Sequence, residues 1–581
     1  MRFLRTISLI AITLSICWSA RAQELDADYY TYPLLNTKRY YSSNFGEMRP
    51  NHFHSGVDFK TDGVEGRTVV AAADGYISRI FQSPWGFGLA LYITHPNGTT
   101  TVYAHLQKFR DDIAAYVYRE RHRLKRHNID LYCGATTFPV KKGDMIALSG
   151  NSGSSAGPHL HFEIRSSANQ KTLNMISKGV YQPTDDIAPL IDKIHYFEVD
   201  TVAGVPRHSK AATYKLKADG TLYSLEQETP ISVGRKGYFV VEVSDRKNGT
   251  TNRYGVHNIV AQVDGQTYYE YRNDGFLFGN TRYCNAIAYY PIQRSSRNEA
   301  MRLAELQHCI KEFYPHMVDR GVVRTEEGQH RKVRIYATDD CLNTSTLEFE
   351  IVGKPDSECF SGEAIDKSTM VYYHKATRRS VDDVFSVDIP ALALYESTDI
   401  ITQVEEGSQV KTSLIRPLLT KVYSVGNKDI PLHKSMTISF RYANSNVKPQ
   451  QLAIASVNNK QEMVYVGGKY KDGVLSVKTS TFDKFCITCD ATAPTITPKF
   501  KDGDNLSSSK RIEFQLKDNF SGVDSYSATI DGKWVAIDYA KGIASINLID
   551  EGIKGGVEHS VTISISDACG NKASWSGKFL K

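Results

Sequence analysis

The sequence predicts a mainly β protein: an antiparallel β domain carrying one helical insertion, followed by β-sandwich modules. Three observations lead there. Alternating apolar runs are separated by Asn-Gly and Asp-Gly pairs, which suit tight turns between strands. The chain holds 41 glycines and 34 tyrosines but only 4 tryptophans, a mix that favours turn-rich strands over helical bundles. A strand-turn pattern also recurs in the part of the chain after residue 185. The 581 residues imply three to five domains at roughly 100–200 residues each. A content of 41% hydrophobic and 23% charged residues excludes wholesale disorder. Beyond the N-terminus no run of about 18 apolar residues occurs, which excludes a multi-spanning membrane protein.

Residues 1–22 read as a secretory signal peptide. Arg2 and Arg5 make the basic start, Ile7 to Trp18 the apolar run, and Ala20-Arg21-Ala22 the small-residue close. Ile16, directly before Cys17, is too large for a lipid-modified cysteine. The protein is therefore expected to be exported, to the periplasm or cell envelope, with no stable membrane span after signal cleavage. Loss of Arg2, Arg5 and Arg21 lowers the formal charge from +6 to +3, which gives no basis for a nucleic-acid partner. Cysteines 133, 284, 309, 341, 359, 486, 489 and 569 remain, and an oxidising compartment permits disulfides without fixing their pairing. Cys486-Ile487-Thr488-Cys489 lacks a second pair and a βαβ setting, so it reads as a structural disulfide or two plain thiols.

Residues 23–185 form the first domain. Val69 to Ala73 leads into Asp74-Gly75, Leu89 to Thr94 alternates, and Asn97-Gly98 predicts a hairpin with positive φ at both turn residues. Thr99 to His105 is the return strand, and Met145 to Ser149 follows a turn at Lys141-Lys142-Gly143-Asp144. Between them, Asp111 to His127 has helical spacing, with acids first and bases last as the helix dipole prefers. The whole insert, Gln107 to Pro139, is expected to make a wall beside the active site.

The repeat lies further on. Gly255-Val256 and Asp264-Gly265 are spaced as Gly522-Val523 and Asp531-Gly532 are. Thr338-Asp339-Asp340-Cys341-Leu342-Asn343 matches Ser566-Asp567-Ala568-Cys569-Gly570-Asn571. This spacing reads as a β-sandwich in each copy, and the copies resemble bacterial immunoglobulin-like modules. The first, 186–355, carries an insertion with an expected helix from Asn298 to Phe313. The last is 491–581, bounded by Ala493-Pro494. Residues 356–490 form a β-rich module of no assigned family, with Met436 to Tyr442 and Gln451 to Val457 as strands.

Three stretches carry chemistry: His54-Ser55-Gly56-Val57-Asp58, Tyr103-Ala104-His105-Leu106, and Ser149 to Ile164 with His159-Leu160-His161. Alternation along a strand puts His159 and His161 on one face. Imidazole and carboxylate groups suit Zn²⁺, and a hydrolytic site needs about three protein ligands and an open position. Glu163 is read as facing away from these histidines and as structural.

His-x-x-x-Asp, Tyr-x-His-Leu and Gly-x-x-Gly-x-Ser-x-Gly-Pro-His-Leu-His-Phe-Glu-Ile, in that order, resemble the lysostaphin/LytM-type zinc metallopeptidases. The resemblance covers roughly residues 43–165. It implies a small antiparallel β-barrel-like peptidase domain acting on peptide cross-links of bacterial peptidoglycan. It also implies zinc ligands His54, Asp58 and His161, with His105 and His159 as catalytic histidines that orient water and stabilise the oxyanion. Which of the two takes the proton stays open, and the family pattern selects His54 over His52. Two other function classes compete: a non-catalytic LytM-type regulator that activates cell-wall amidases, and an adhesive envelope protein acting through its sandwiches.

Overall fold

A computed structural model describes residues 25–443 and 446–581; the expected signal peptide lies outside the described residues. In the first domain the strands are β1 (Tyr41–Ser43), β2 (Met48–Arg49), β3 (His52–Phe53), β4 (Val57–Lys60), β5 (Thr68–Val70) and β6 (Gly75–Gln82). They continue as β7 (Leu89–Thr94), β8 (Thr99–Phe109), helix α1 (Asp111–Leu124), β9 (Ile129–Tyr132), β10 (Pro139–Val140), β11 (Met145–Ser149) and β12 (His159–Ser166). The main sheet runs β1-β4-β12-β8-β7-β6-β10, and β11 bridges β5 and β8. All pairings along that path are antiparallel. Phe59, Tyr103, Leu160, Phe162 and Ile164 project off β4, β8 and β12 into one apolar core. Alternation along a strand leaves the opposite face of the same three strands for polar groups.

The β7–β8 hairpin differs from expectation in its turn. Pro96 and Asn97 occupy the centre, the Gly98 amide donates to the His95 carbonyl, and Gly98 takes φ 80° while Asn97 stays at negative φ. Proline's ring fixes a negative φ at its own position, which suits the first central place of the turn that forms. The copies of Asp-Gly do use turns with two positive angles: Asp264 and Gly265 have φ 51° and 76°, Asp531 and Gly532 49° and 74°. Each joins an antiparallel hairpin.

A thirteen-stranded sheet system spans Leu190–Val202 to Thr344–Gly353. The helix expected from Asn298 to Phe313 is not formed. Glu299–Arg302 is instead a strand paired with Lys236–Ser244, and only Lys311–Phe313 makes a helical turn. All four residues of that strand are buried, Glu299 and Arg302 included, so both of its faces are covered. Two five-stranded sheets follow between Thr377 and Cys489, then a four-stranded and a five-stranded sheet between Thr495 and Leu580. The eight cysteines among the described residues are all free thiols. Cys486 and Cys489 lie on one strand, and three-residue spacing sends them to opposite faces. No helix among the described residues is long and apolar enough to cross a membrane.

Candidate metal centre

The β4–β12–β8 ladder builds the site by register. His161 of β12 pairs with Asp58 of β4 on one side and with Ala104 of β8 on the other. His159 pairs with Lys60, so both histidines project from the same face as Asp58. His54 arrives from the turn after β3 and is buried, as are Asp58 and His161. His54 Nε2 lies 3.0 Å from Asp58 Oδ1 and 3.0 Å from His161 Nδ1, and His161 Nδ1 lies 2.9 Å from the same carboxylate oxygen. Two imidazole nitrogens and one carboxylate oxygen thus converge within 4.8 Å of one another. This donor set and spacing fit a tetrahedral zinc ion with one position left open.

The groups behind these three fix their orientation. His54 Nδ1 donates to the Asn44 carbonyl at 2.7 Å, which leaves Nε2 free as the donor toward a metal. Arg49 binds the second oxygen of Asp58 at 3.0 Å. Glu163 corrects the reading from sequence. Four residues from His159 and two from His161, it shares their face, and its Oε1 meets His161 Nε2 at 2.8 Å. Ser55 donates to the same oxygen at 2.6 Å, and Arg165 holds the other. Burial opposes ionisation of Glu163, but Arg165 and His161 outweigh it and hold the carboxyl down to about 2. Burial also opposes protonation of His161, and its bonds to Asp58 and Glu163 push it up to about 9.

His105 and His159 stand beside this group. Their ring centres are 4.8 Å apart, and His105 is 5.9 Å from His161. His105 has φ 58°, a left-handed conformation inside a strand, which costs a non-glycine residue of order 1–3 kcal/mol. Its Nδ1 donates to the Ser152 carbonyl at 2.8 Å, and His159 Nδ1 donates to the Gly157 carbonyl at 2.8 Å. Both rings therefore turn Nε2 away from those anchors. Burial and the two neighbouring imidazoles push His105 down to about 3, so it is neutral near pH 7. His52 is exposed and bonds the Pro50 carbonyl, outside the cluster.

Residues 52–119 match the model of Peptidase family M23. An uncharacterized metalloprotease of Haemophilus influenzae is 33% identical over 155 residues, 25% of this chain and 26% of that protein. The N-terminal domain is a LytM-type M23 peptidase domain. A DD-carboxypeptidase/endopeptidase Mpg of Neisseria meningitidis serogroup B is 30% identical over 156 residues, 27% of this chain and 26% of its own. The chain thus spans about a quarter of the length of these curated relatives. The catalytic domain of lysostaphin from Staphylococcus simulans is 25% identical, over 21% of this chain and 76% of that one, at TM-score 0.16. Outside the M23 domain, residues 368–490 match the Zu5-like domain, which supplies a family for the stretch the sequence reading left unassigned.

Glu163 and Asn44 are among the residues of the M23 site that escaped the sequence reading. Glu163 was legible in its even spacing from His159 and His161. Asn44 had no such signal, because it acts through a backbone carbonyl that only the fold brings to His54.

Proposed function

We propose that the chain is an exported zinc endopeptidase that hydrolyses peptide cross-links of bacterial peptidoglycan. The observation that carries this reading is the convergence of His54, Asp58 and His161 on one face of the sheet, with His105 and His159 at its edge. Zinc bound there supplies a Lewis acid that acidifies water and polarises a carbonyl. The chain's own groups do the rest. Neutral His105, held at Nδ1 by Ser152, presents Nε2 as an acceptor for a proton from water. His159, whose Nδ1–H is held by the Gly157 carbonyl, stabilises negative charge on the carbonyl oxygen when Nε2 also carries a proton and donates to it. Glu163 and Asn44 keep the two ligand histidines in the required tautomers. Relatives named for DD-carboxypeptidase and DD-endopeptidase activity support a peptidoglycan substrate and a place outside the cytoplasm.

Metal analysis combined with digestion of purified sacculi tests the reading. One zinc per chain and release of soluble fragments are expected, both lost in His161→Ala. A zinc-loaded protein that leaves sacculi intact, or a His161→Ala variant that keeps its zinc, would overturn it.

A further inference from the structure

Each of the two repeated sandwich modules opens on the same five-residue pattern. Asp185-Asp186-Ile187-Ala188-Pro189 precedes the first, and Asp490-Ala491-Thr492-Ala493-Pro494 precedes the last. In both, the leading aspartate folds back onto two others. Asp185, Asp245 and Asp339 bring carboxylate oxygens within 4.8 Å of one another, and so do Asp490, Asp518 and Asp567. The positions are equivalent. Asp245 follows the strand Lys236–Ser244, and Asp518 follows Arg511–Lys517. Asn343 Nδ2 donates to the Asp185 carbonyl at 3.2 Å, and Asn571 Nδ2 to the Asp490 carbonyl at 2.9 Å.

Both clusters hold more negative charge than the positive charge beside them offsets. Asp245 is 0% exposed, and neither of its carboxylate oxygens has a hydrogen-bond partner. Lys247 enters the first cluster, but its ammonium sits 2.5 Å from Asp340, against 3.3 Å from Asp185 and 3.4 Å from Asp245. It is matched by that fourth carboxylate. The last module has Phe520 and Ala568 where the first has Lys247 and Asp340, so the added pair is absent and the same triad remains. There Asp518 Oδ1 is buried without a partner, while Asp490 and Asp567 are 1% and 2% exposed.

Three carboxylates held in water-poor surroundings repel one another and cost several kcal/mol per uncompensated ion. Two copies of one arrangement make accident a poor account of it. Oxygen donors select hard cations, whereas zinc prefers nitrogen and sulfur. Calcium binds oxygens at about 2.3–2.6 Å, so ligand oxygens on one ion stand up to about 5 Å apart, as these do. We infer that each sandwich module holds one hard divalent cation of the calcium class, seated by Asp185, Asp245 and Asp339 in the first and by Asp490, Asp518 and Asp567 in the last. Because Asp185 and Asp490 lie on the segments by which the chain enters each module, the ion ties that segment to the module it precedes. The inference does not depend on the zinc reading.

The test uses the full zinc-loaded chain, freed of calcium and titrated with calcium chloride by calorimetry and equilibrium dialysis. Two calcium ions per chain are expected, with dissociation constants on the order of 10⁻⁴–10⁻³ M, as in other extracellular modules. Asp245→Asn and Asp518→Asn, close in shape to the wild type, should each remove one ion, leave the zinc content unchanged and abolish one share of the calcium-induced rise in unfolding temperature. Fewer than two sites in the wild-type chain, or two sites that survive either substitution, would overturn the inference. Should a variant fail to fold, the wild-type stoichiometry still decides.

Discussion

At the scale of single residues, the site shows how much a metal centre depends on groups that never touch the metal. His161 is gripped on both nitrogens, by Asp58 and by Glu163. A carboxylate on the far nitrogen fixes the tautomer and makes the near nitrogen a better ligand. Glu163→Gln keeps the shape and an acceptor oxygen but removes the charge. Zinc affinity should fall about 10–100-fold, read by competition with a chelator, and an affinity within twofold of wild type would return Glu163 to a packing role. The two flanking histidines should behave differently. His105→Ala and His159→Ala should each retain zinc while turnover drops about 10²-fold or more, the usual scale for proton transfer and oxyanion stabilisation. If metal and activity vanish together in either variant, that residue is a ligand.

At the scale of elements, α1 has the sequence of a solvated helix and the job of a bracket. Asp111 and Asp112 start it, Arg121, His122 and Arg123 end it, and Ile113 and Val117 bury its inner face. Its C-terminal turn packs against the last module. Arg121 donates to the Ile537 carbonyl at 2.8 Å and pairs with Asp538 at 2.9 Å. His122 meets Glu551 at 3.2 Å, and His127 stacks on Trp534 and Tyr526 at 5.1 Å each. Arg121→Ala and Trp534→Ala should therefore loosen the last module from the M23 domain. Limited proteolysis should cut near residues 491–495 several times faster, with zinc content unchanged; identical cleavage rates would show that the contact is incidental. The partner of this helix lies over 400 residues away in sequence, beyond the reach of any periodicity. Local chemistry was legible where local rules decide it, as in α1, the Asp-Gly hairpins and the face shared by His159 and His161. The strand at Glu299–Arg302 was not, because burial on both faces erases the alternation that marks a strand.

At the scale of the whole molecule, the first domain and the first sandwich are not separable beads. Phe45, Met48 and Phe53 leave the M23 domain and join the core of the sandwich. Thr172–Leu173, at the end of the first domain's sheet, pairs with Gly275–Phe276 from the next. Asn44, whose carbonyl orients His54, also exchanges two hydrogen bonds with Gly255, at 2.9 and 3.0 Å. Buried Glu299 accepts from the Met48 and Val256 amides, spanning the same boundary. Exposing three large apolar side chains costs about 1.5–3 kcal/mol each, which is of the order of a domain's entire net stability, about 5–15 kcal/mol. A chain stopped after residue 185 would meet that cost and lose the anchor for Asn44. A chain stopped after residue 353 would keep both. The shorter chain should unfold non-cooperatively or at least 15 °C below the longer one, about what a loss of several kcal/mol produces in a domain of this size, and should bind zinc weakly. The longer chain should show one clean transition and full zinc occupancy. Circular dichroism melts with metal analysis on both would decide it, and a short chain melting within about 5 °C of the long one, zinc in place, would mean that the M23 domain stands on its own core.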